Sequence, residues 1–329
     1  MGPPSAALKV GPSHRDGRVG LNRYNQHLDI QSMQPSGLKI WFIALRPKTL
    51  IAAFSPVLLG TTAAWAVGEF YWLPALLCLG FALLVQIGTN WANDYYDFIK
   101  GSDTEERLGP TRVVAVGWVA PKVMRRAMMI AFALAFLLGL GLLPYGGWPL
   151  LVIGIVAILC GIAYTGGPYP LGYNGWGDVC VFIFFGWVAV NTTFALQAQA
   201  FSLDAFIISH VPAALASNLL VVNNYRDAET DAKSGKRTLA VLYGRSFVGY
   251  EYCLLNAIAL LVPLALWVRG WSIWVLLPWV LIPLTFSLCR GLFRADSKEA
   301  FASIFAGTGK LLLLHTLLLF FGIVLGGGV

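Results

Sequence analysis

From residue 38 onward the chain is a succession of apolar runs, with polar residues gathered into the short breaks between them and at the run ends. A helix needs roughly 20 apolar residues to cross about 30 Å of hydrocarbon. Runs of that length near 48–68, 72–92, 124–143, 148–164, 176–196, 204–224, 247–268, 271–290 and 302–326 predict nine transmembrane helices. The expected fold class is an all-α membrane protein. Only Pro144–Trp148 separates the third run from the fourth, so those two boundaries are soft. Residues 1–37 are rich in Gly, Pro and Ser and show no apolar periodicity. They are expected to form a disordered tail ahead of a transmembrane domain at 38–329. No short apolar core of the kind a cleaved signal carries lies in the first thirty residues.

Composition agrees with the pattern. At 57% hydrophobic and 12% charged, the chain is unlike soluble proteins, in which about 25% of residues are charged. Lys and Arg number 23 against 16 Asp and Glu, a net charge of +7. With a cytoplasmic N-terminus, 21 of the 23 basic residues fall on the cytoplasmic side; Arg269 alone lies opposite, and Lys310 falls inside the last run. Basic residues collect on the cytoplasmic side of spans, which orients the bundle and removes any need for a nucleic-acid partner. The expected home is a bacterial cytoplasmic membrane. Five cysteines without a CxxC pair and four scattered histidines give neither a disulfide framework nor a zinc site.

The few acids are placed far from randomly. The second run ends in Asn90-Trp-Ala-Asn93-Asp94-Tyr-Tyr-Asp97, followed by Lys100, Asp103, Glu105, Glu106 and Arg107. The sixth ends in Asn223-Asn224-Tyr-Arg226-Asp227-Ala-Glu229-Thr-Asp231, followed by Lys233, Lys236 and Arg237. Offsets of three and four put 90, 94 and 97, and likewise 223, 227 and 231, on one helix face. Four spans lie between the two ends, so both face the same side. Mg²⁺ takes one or two carboxylates and completes its shell with substrate phosphate oxygens. Asp94, Asp97, Asp227 and Asp231 are therefore the candidate metal ligands. Asn90 and Asn223 are candidates to complete the shell or touch phosphate, and Lys100, Arg112, Lys236 and Arg237 to contact a diphosphate directly. Glu105 and Glu106 fall off the helical spacing and read as solvated loop charges; Asp103 stays open.

Four stretches resemble the UbiA superfamily of intramembrane aromatic prenyltransferases: Leu45-Arg-Pro-Lys-Thr-Leu50 with Pro56 and Gly60; Asn90 to Asp97 continuing to Gly109-Pro-Thr-Arg112; Tyr164-Thr-Gly-Gly-Pro-Tyr-Pro-Leu-Gly172 with Gly177-Asp178; and Asn223 to Asp231 ending Gly235-Lys-Arg-Thr-Leu239. The resemblance covers nearly everything from residue 40 and is strongest to the branch acting on 1,4-dihydroxy-2-naphthoate. Members acting on 4-hydroxybenzoate often carry a basic residue shortly after the Tyr-Thr; here Gly166 to Gly172 holds none. Position 101, where many relatives have Asp, is Gly, and the next acid is Asp103.

The resemblance implies Mg²⁺-dependent transfer of a polyprenyl group from its diphosphate to the naphthoate ring with loss of CO₂, giving a demethylmenaquinone in menaquinone biosynthesis. It also places Tyr164 in the catalytic group. Tyr95, Tyr96, Tyr164 and Trp176 either offer ring faces to an allylic cation or form an interfacial aromatic belt. Asp178 either orients or deprotonates the acceptor, or merely starts its helix. Two rival readings remain: the same fold with another aromatic acceptor such as 4-hydroxybenzoate or homogentisate, and a secondary transporter, whose acids would lie nearer mid-membrane.

Overall fold

A computed structural model describes residues 35–102, 109 and 111–327. The tail up to residue 34, and with it His14 and His27, lies outside the described residues, as do Asp103, Glu105, Glu106 and Arg107. By backbone contacts the chain divides at Trp41, and Phe42–Val329 is one compact unit. The described residues form helices: α1 (Gly37–Leu45), α2 (Pro47–Ala66), α3 (Trp72–Ile99), α4 (Pro121–Gly141), α5 (Leu143–Ala163), α6 (Gly177–Ala198), α7 (Leu203–Lys233), α8 (Leu239–Tyr243), α9 (Arg245–Val268), α10 (Ile273–Arg294) and α11 (Lys298–Leu325). Nine of these are long and apolar enough to span a membrane, all but α1 and α8. Hydrocarbon offers no partner to the backbone, so each span satisfies its own peptide groups as a helix.

Helix starts are set by local chemistry. Pro47 and Pro121 take first-turn positions of α2 and α4, where a missing N–H costs nothing. Ser202 and Ser297 cap α7 and α11, accepting from Ala205 N and Ala300 N at 3.2 Å each. Two helices run well past the ends of their apolar patterns: α3 continues to Ile99 and α7 to Lys233, because their Asn and Asp side chains are partnered inside the bundle. The soft third-to-fourth boundary is a single residue, Leu142, and the chain kinks just after it, inside α5, at Gly147, with φ of +64°.

The inner helices are α7 and α2, with 78% and 61% of their apolar windows buried against 6% for the peripheral α5. Around α7 pack α9, α11, α6 and α2. Between spans, where hydrophobicity gives no preference for helix over lipid, close packing and hydrogen bonds hold the helices together. Ser55 Oγ and Thr316 Oγ1 meet at 2.6 Å between α2 and α11, and Tyr252 Oη and Thr308 Oγ1 at 2.7 Å between α9 and α11. All five cysteines are free.

Candidate active site

The C-terminal turns of α3 put Asn90, Asp94 and Asp97 on one face, all 3% exposed or less. Asn90 Nδ2 donates to Leu45 O at 3.1 Å and Thr49 Oγ1 at 3.0 Å, tying α3 to the α1–α2 corner. That corner is turned by Arg46, whose left-handed backbone (φ 52°) aims its guanidinium at Asp94. Such a backbone costs about 1–3 kcal/mol in a residue with a side chain; the ion pair with buried Asp94 offsets it. Arg112 forks across both acids, NH1 to Asp94 Oδ1 at 2.8 Å and NH2 to Asp97 Oδ2 at 2.7 Å. Buried charges persist only when paired in this way. Arg112, expected to meet a diphosphate, is here a partner of the carboxylates.

The end of α7 carries the second pair. Arg226 Nε and NH2 each donate to the Asp227 carboxylate at 2.7 Å. After α7 the chain reverses through Gly235 (φ 77°), a conformation glycine adopts freely. The reversal brings Lys236 Nζ within 3.3 Å of Asp231 Oδ1. Arg237 turns its side chain outward, and its backbone N–H donates to Tyr173 O at 2.7 Å. Asn223 lines the cavity described below, whereas Asn224 Nδ2 reaches Asp178 Oδ2 at 3.4 Å. The other oxygen of buried Asp178, Oδ1, has no hydrogen-bond partner among the described residues.

The loop after α5 joins the two acidic ends. Its Tyr173 hydroxyl donates to Asp97 Oδ1 at 2.6 Å and lies 2.8 Å from Ser102 Oγ. Lys100 and Lys236 both place their ammonium groups over the Tyr173 ring, at 4.7 and 4.8 Å from its centroid. Burial first, and then the Asp97 charge, push the Tyr173 phenol far above its ordinary range, so it stays protonated as a donor. Lys100 also donates to Thr165 O at 2.6 Å; burial lowers its pKa, the Asp97 charge opposes this, and Lys236 adds to it. Thr165 Oγ1 in turn donates to Asn93 Oδ1 at 2.9 Å. Sequence reasoning missed Tyr173, Arg46 and Arg226 as members of this network.

Below the polar groups lies a cavity of about 290 Å³. Arg46, Gln86, Asn90, Asn93 and Asn223 are among its polar lining, and Phe81 and Leu150 belong to its apolar wall. Along α3 the lining runs from Asn93 back to Cys78, about 22 Å of helix at 1.5 Å per residue. Of the four aromatic candidates only Tyr164 lines it; Tyr95, Tyr96 and Trp176 do not. Tyr164 is held by glycines: a Cβ at Gly172 would stand 2.9 Å from its ring, and one at Gly177 would stand 3.0 Å from its hydroxyl. A π turn at Ile183–Val188 swings Phe184, Phe185 and Val188 of α6 toward the cavity.

No three His, Cys, Asp or Glu side chains among the described residues converge as a complete metal cage. What the site offers is two carboxylate pairs, hard oxygen donors on separate helix ends. This suits an ion that takes one or two carboxylates and draws the rest of its shell from phosphate.

Residues 53–314 match the UbiA prenyltransferase family. The chain is 36% identical over 299 residues to a 1,4-dihydroxy-2-naphthoate octaprenyltransferase of Escherichia coli (strain K12), covering 89% of this chain and 97% of that protein. It is 40% identical over 219 residues to a protein of the same name from Mycobacterium tuberculosis (strain ATCC 25618 / H37Rv), covering 67% of this chain and 75% of that one. Among solved structures, a UbiA homolog from Archaeoglobus fulgidus bound to DMAPP and Mg²⁺ shares the fold with a TM-score of 0.59 at 16% identity, covering 86% of this chain and 99% of that one. With two acidic helix ends set at the mouth of an apolar cavity and these matches along nearly its whole length, the chain belongs to the UbiA prenyltransferase family of membrane enzymes.

Proposed function

We propose that the protein transfers a polyprenyl group from its diphosphate to 1,4-dihydroxy-2-naphthoate with loss of CO₂, giving demethylmenaquinol, the reduced form of the demethylmenaquinone of menaquinone biosynthesis. The observation that carries this reading is the joining of two acidic helix ends through one loop above a long apolar cavity. The naphthoate relatives, matched over two thirds or more of the chain, support the acceptor. In this reading the site faces the cytoplasm, since 21 of 23 basic residues then lie on that side of a bacterial cytoplasmic membrane.

The polyprenyl tail lies in the cavity, along the 22 Å or so of α3 that lines it. Lys100 and Lys236 hold the diphosphate by charge. Asp94, Asp97, Asp227 and Asp231 would hold Mg²⁺, with Arg46, Arg112, Arg226 and Lys236 balancing those carboxylates otherwise. When bound, Mg²⁺ supplies Lewis-acid neutralisation of the leaving diphosphate. Heterolysis of the allylic C–O bond leaves a carbocation. The apolar walls keep water from it, and the Tyr164 ring, on the cavity wall, offers its π face. The ring carbon of the acceptor attacks, and its carboxylate departs as CO₂. Asp178 Oδ1, buried and with no hydrogen-bond partner among the described residues, takes the acceptor's hydroxyl proton as the ring attacks and returns it as CO₂ leaves and the quinol forms.

An acceptor panel tests this. Purified protein given one prenyl diphosphate and Mg²⁺ is expected to prenylate 1,4-dihydroxy-2-naphthoate at least tenfold faster than 4-hydroxybenzoate or homogentisate, a margin that loss of specific polar contacts would readily exceed. A preference for either of the others would move the protein to a different branch of its family.

A further inference from the structure

The two lysines best placed to receive a diphosphate are held by an aromatic ring. Tyr173 touches both acidic ends. On the α3 side its hydroxyl meets Asp97 and Ser102, and its ring meets Lys100; on the α7 side its ring meets Lys236 and its carbonyl accepts from Arg237 N. Two ammonium groups brought close together repel, and each left alone would fold onto the nearest carboxylate. Lys100 is not placed that way here, and Lys236 is shared between a carboxylate and the ring. Lys100 donates to a backbone carbonyl of Thr165 in place of a carboxylate, and Lys236 sits 3.3 Å from Asp231 while also over the ring. A π face attracts cations more weakly than an ion pair does, and it releases them to a better anion. The hydroxyl fixes the ring so that its face stays available to both.

The geometry points to Tyr173 as a positioning residue that presents Lys100 and Lys236 to the diphosphate. This rests on the prenyl-transfer reading above and adds to it a role for a residue that meets the donor only through others. It also explains why a tyrosine stands at this place: phenylalanine keeps the ring and loses its anchor, while an aliphatic residue loses both.

The test compares Tyr173→Leu and Tyr173→Phe in the full-length purified enzyme, each also in a background carrying Lys100→Met and Lys236→Met. Tyr173→Leu is expected to raise the KM for prenyl diphosphate about tenfold while leaving the acceptor KM within about twofold, the scale of two weakened cation–π contacts. Tyr173→Phe is expected to stay within about threefold of wild type, since the ring remains. In the double-Met background Tyr173→Leu should add less than about twofold, because residues acting through one another are not additive. Equal rises in both KM values, or the same tenfold rise without the lysines, would overturn the proposal. If Tyr173→Leu fails to fold, Tyr173→Phe decides alone: a donor KM within threefold supports the ring's role, and a tenfold rise contradicts it. If the wild type turns over no prenyl diphosphate at all, the transfer reading fails instead. Binding of inorganic diphosphate then settles Tyr173: affinity about tenfold weaker in Tyr173→Leu supports it, and equal affinity overturns it.

Discussion

At the scale of single residues, identical charges do different work. Arg112 is 8% exposed and bridges two carboxylates that are themselves almost wholly buried. Arg237 sends its side chain outward and contributes its backbone. Removing one partner of a buried ion pair typically costs about 3–5 kcal/mol because the other charge is left behind. Arg112→Met is therefore expected to lower the unfolding temperature sharply in detergent, and Arg237→Met to leave it unchanged, as a differential thermal-denaturation comparison would read. Equal shifts would mean that the Arg112 fork is not holding the site. The spacing of Asn90, Asp94 and Asp97 was legible in the sequence because three- and four-residue offsets define a helix face without further information. Their partners were not legible. Arg46 and Tyr173 sit in a corner and a loop, where no periodicity fixes direction, and only the tertiary fold brings them within reach of carboxylates 48 and 76 residues away along the chain.

At the scale of elements, the nine apolar runs each became a spanning helix, since about twenty apolar residues in hydrocarbon have no other way to satisfy their backbones. The polar ends misled about length. Hydropathy stops near residue 92 in α3 and 224 in α7, whereas the helices continue to Ile99 and Lys233. The π turn in α6 left no hydropathy signal at all. It sits where Gly186 meets α7 so closely that an added Cβ would lie 2.2 Å from Ala213 Cβ and 2.8 Å from Ser209 O. Backbone on one side and a short side chain on the other leave little room to yield. Gly186→Ala is expected to destabilise the protein by about 1–3 kcal/mol, as overpacking does, and to reduce transfer because Phe184 and Phe185 of the same turn line the cavity. A thermal shift within error of wild type would show that α6 and α7 part easily.

At the scale of the whole molecule, the acidic groups stand at the ends of α3 and α7 and the cavity extends from them among the spans, so charge and hydrocarbon are handled in separate zones. A transporter would place its acids nearer mid-membrane at broken helices; here both acid-bearing helices are continuous. The cavity's length along α3 makes donor choice a matter of space. Ala82 lines it on α3 between Cys78 and Val85, and Ala82→Phe is expected to raise the KM for long polyprenyl diphosphates while sparing short ones. Competition between a short and a long donor reads this directly, and equal effects on both would place the tail elsewhere.

Prenyl transfer at the paired acidic ends is tested most directly by one assay. Wild-type protein and Asp227→Asn are each given a labelled polyprenyl diphosphate and 1,4-dihydroxy-2-naphthoate, with and without Mg²⁺. The expected result is Mg²⁺-dependent formation of prenylated naphthoquinol, read as the quinone it gives on oxidation by air, that falls at least about a hundredfold in the variant, the scale seen when a group stabilising transition-state charge is removed. Undiminished transfer by Asp227→Asn, or transfer by the wild type that ignores Mg²⁺, would contradict the assignment of the site.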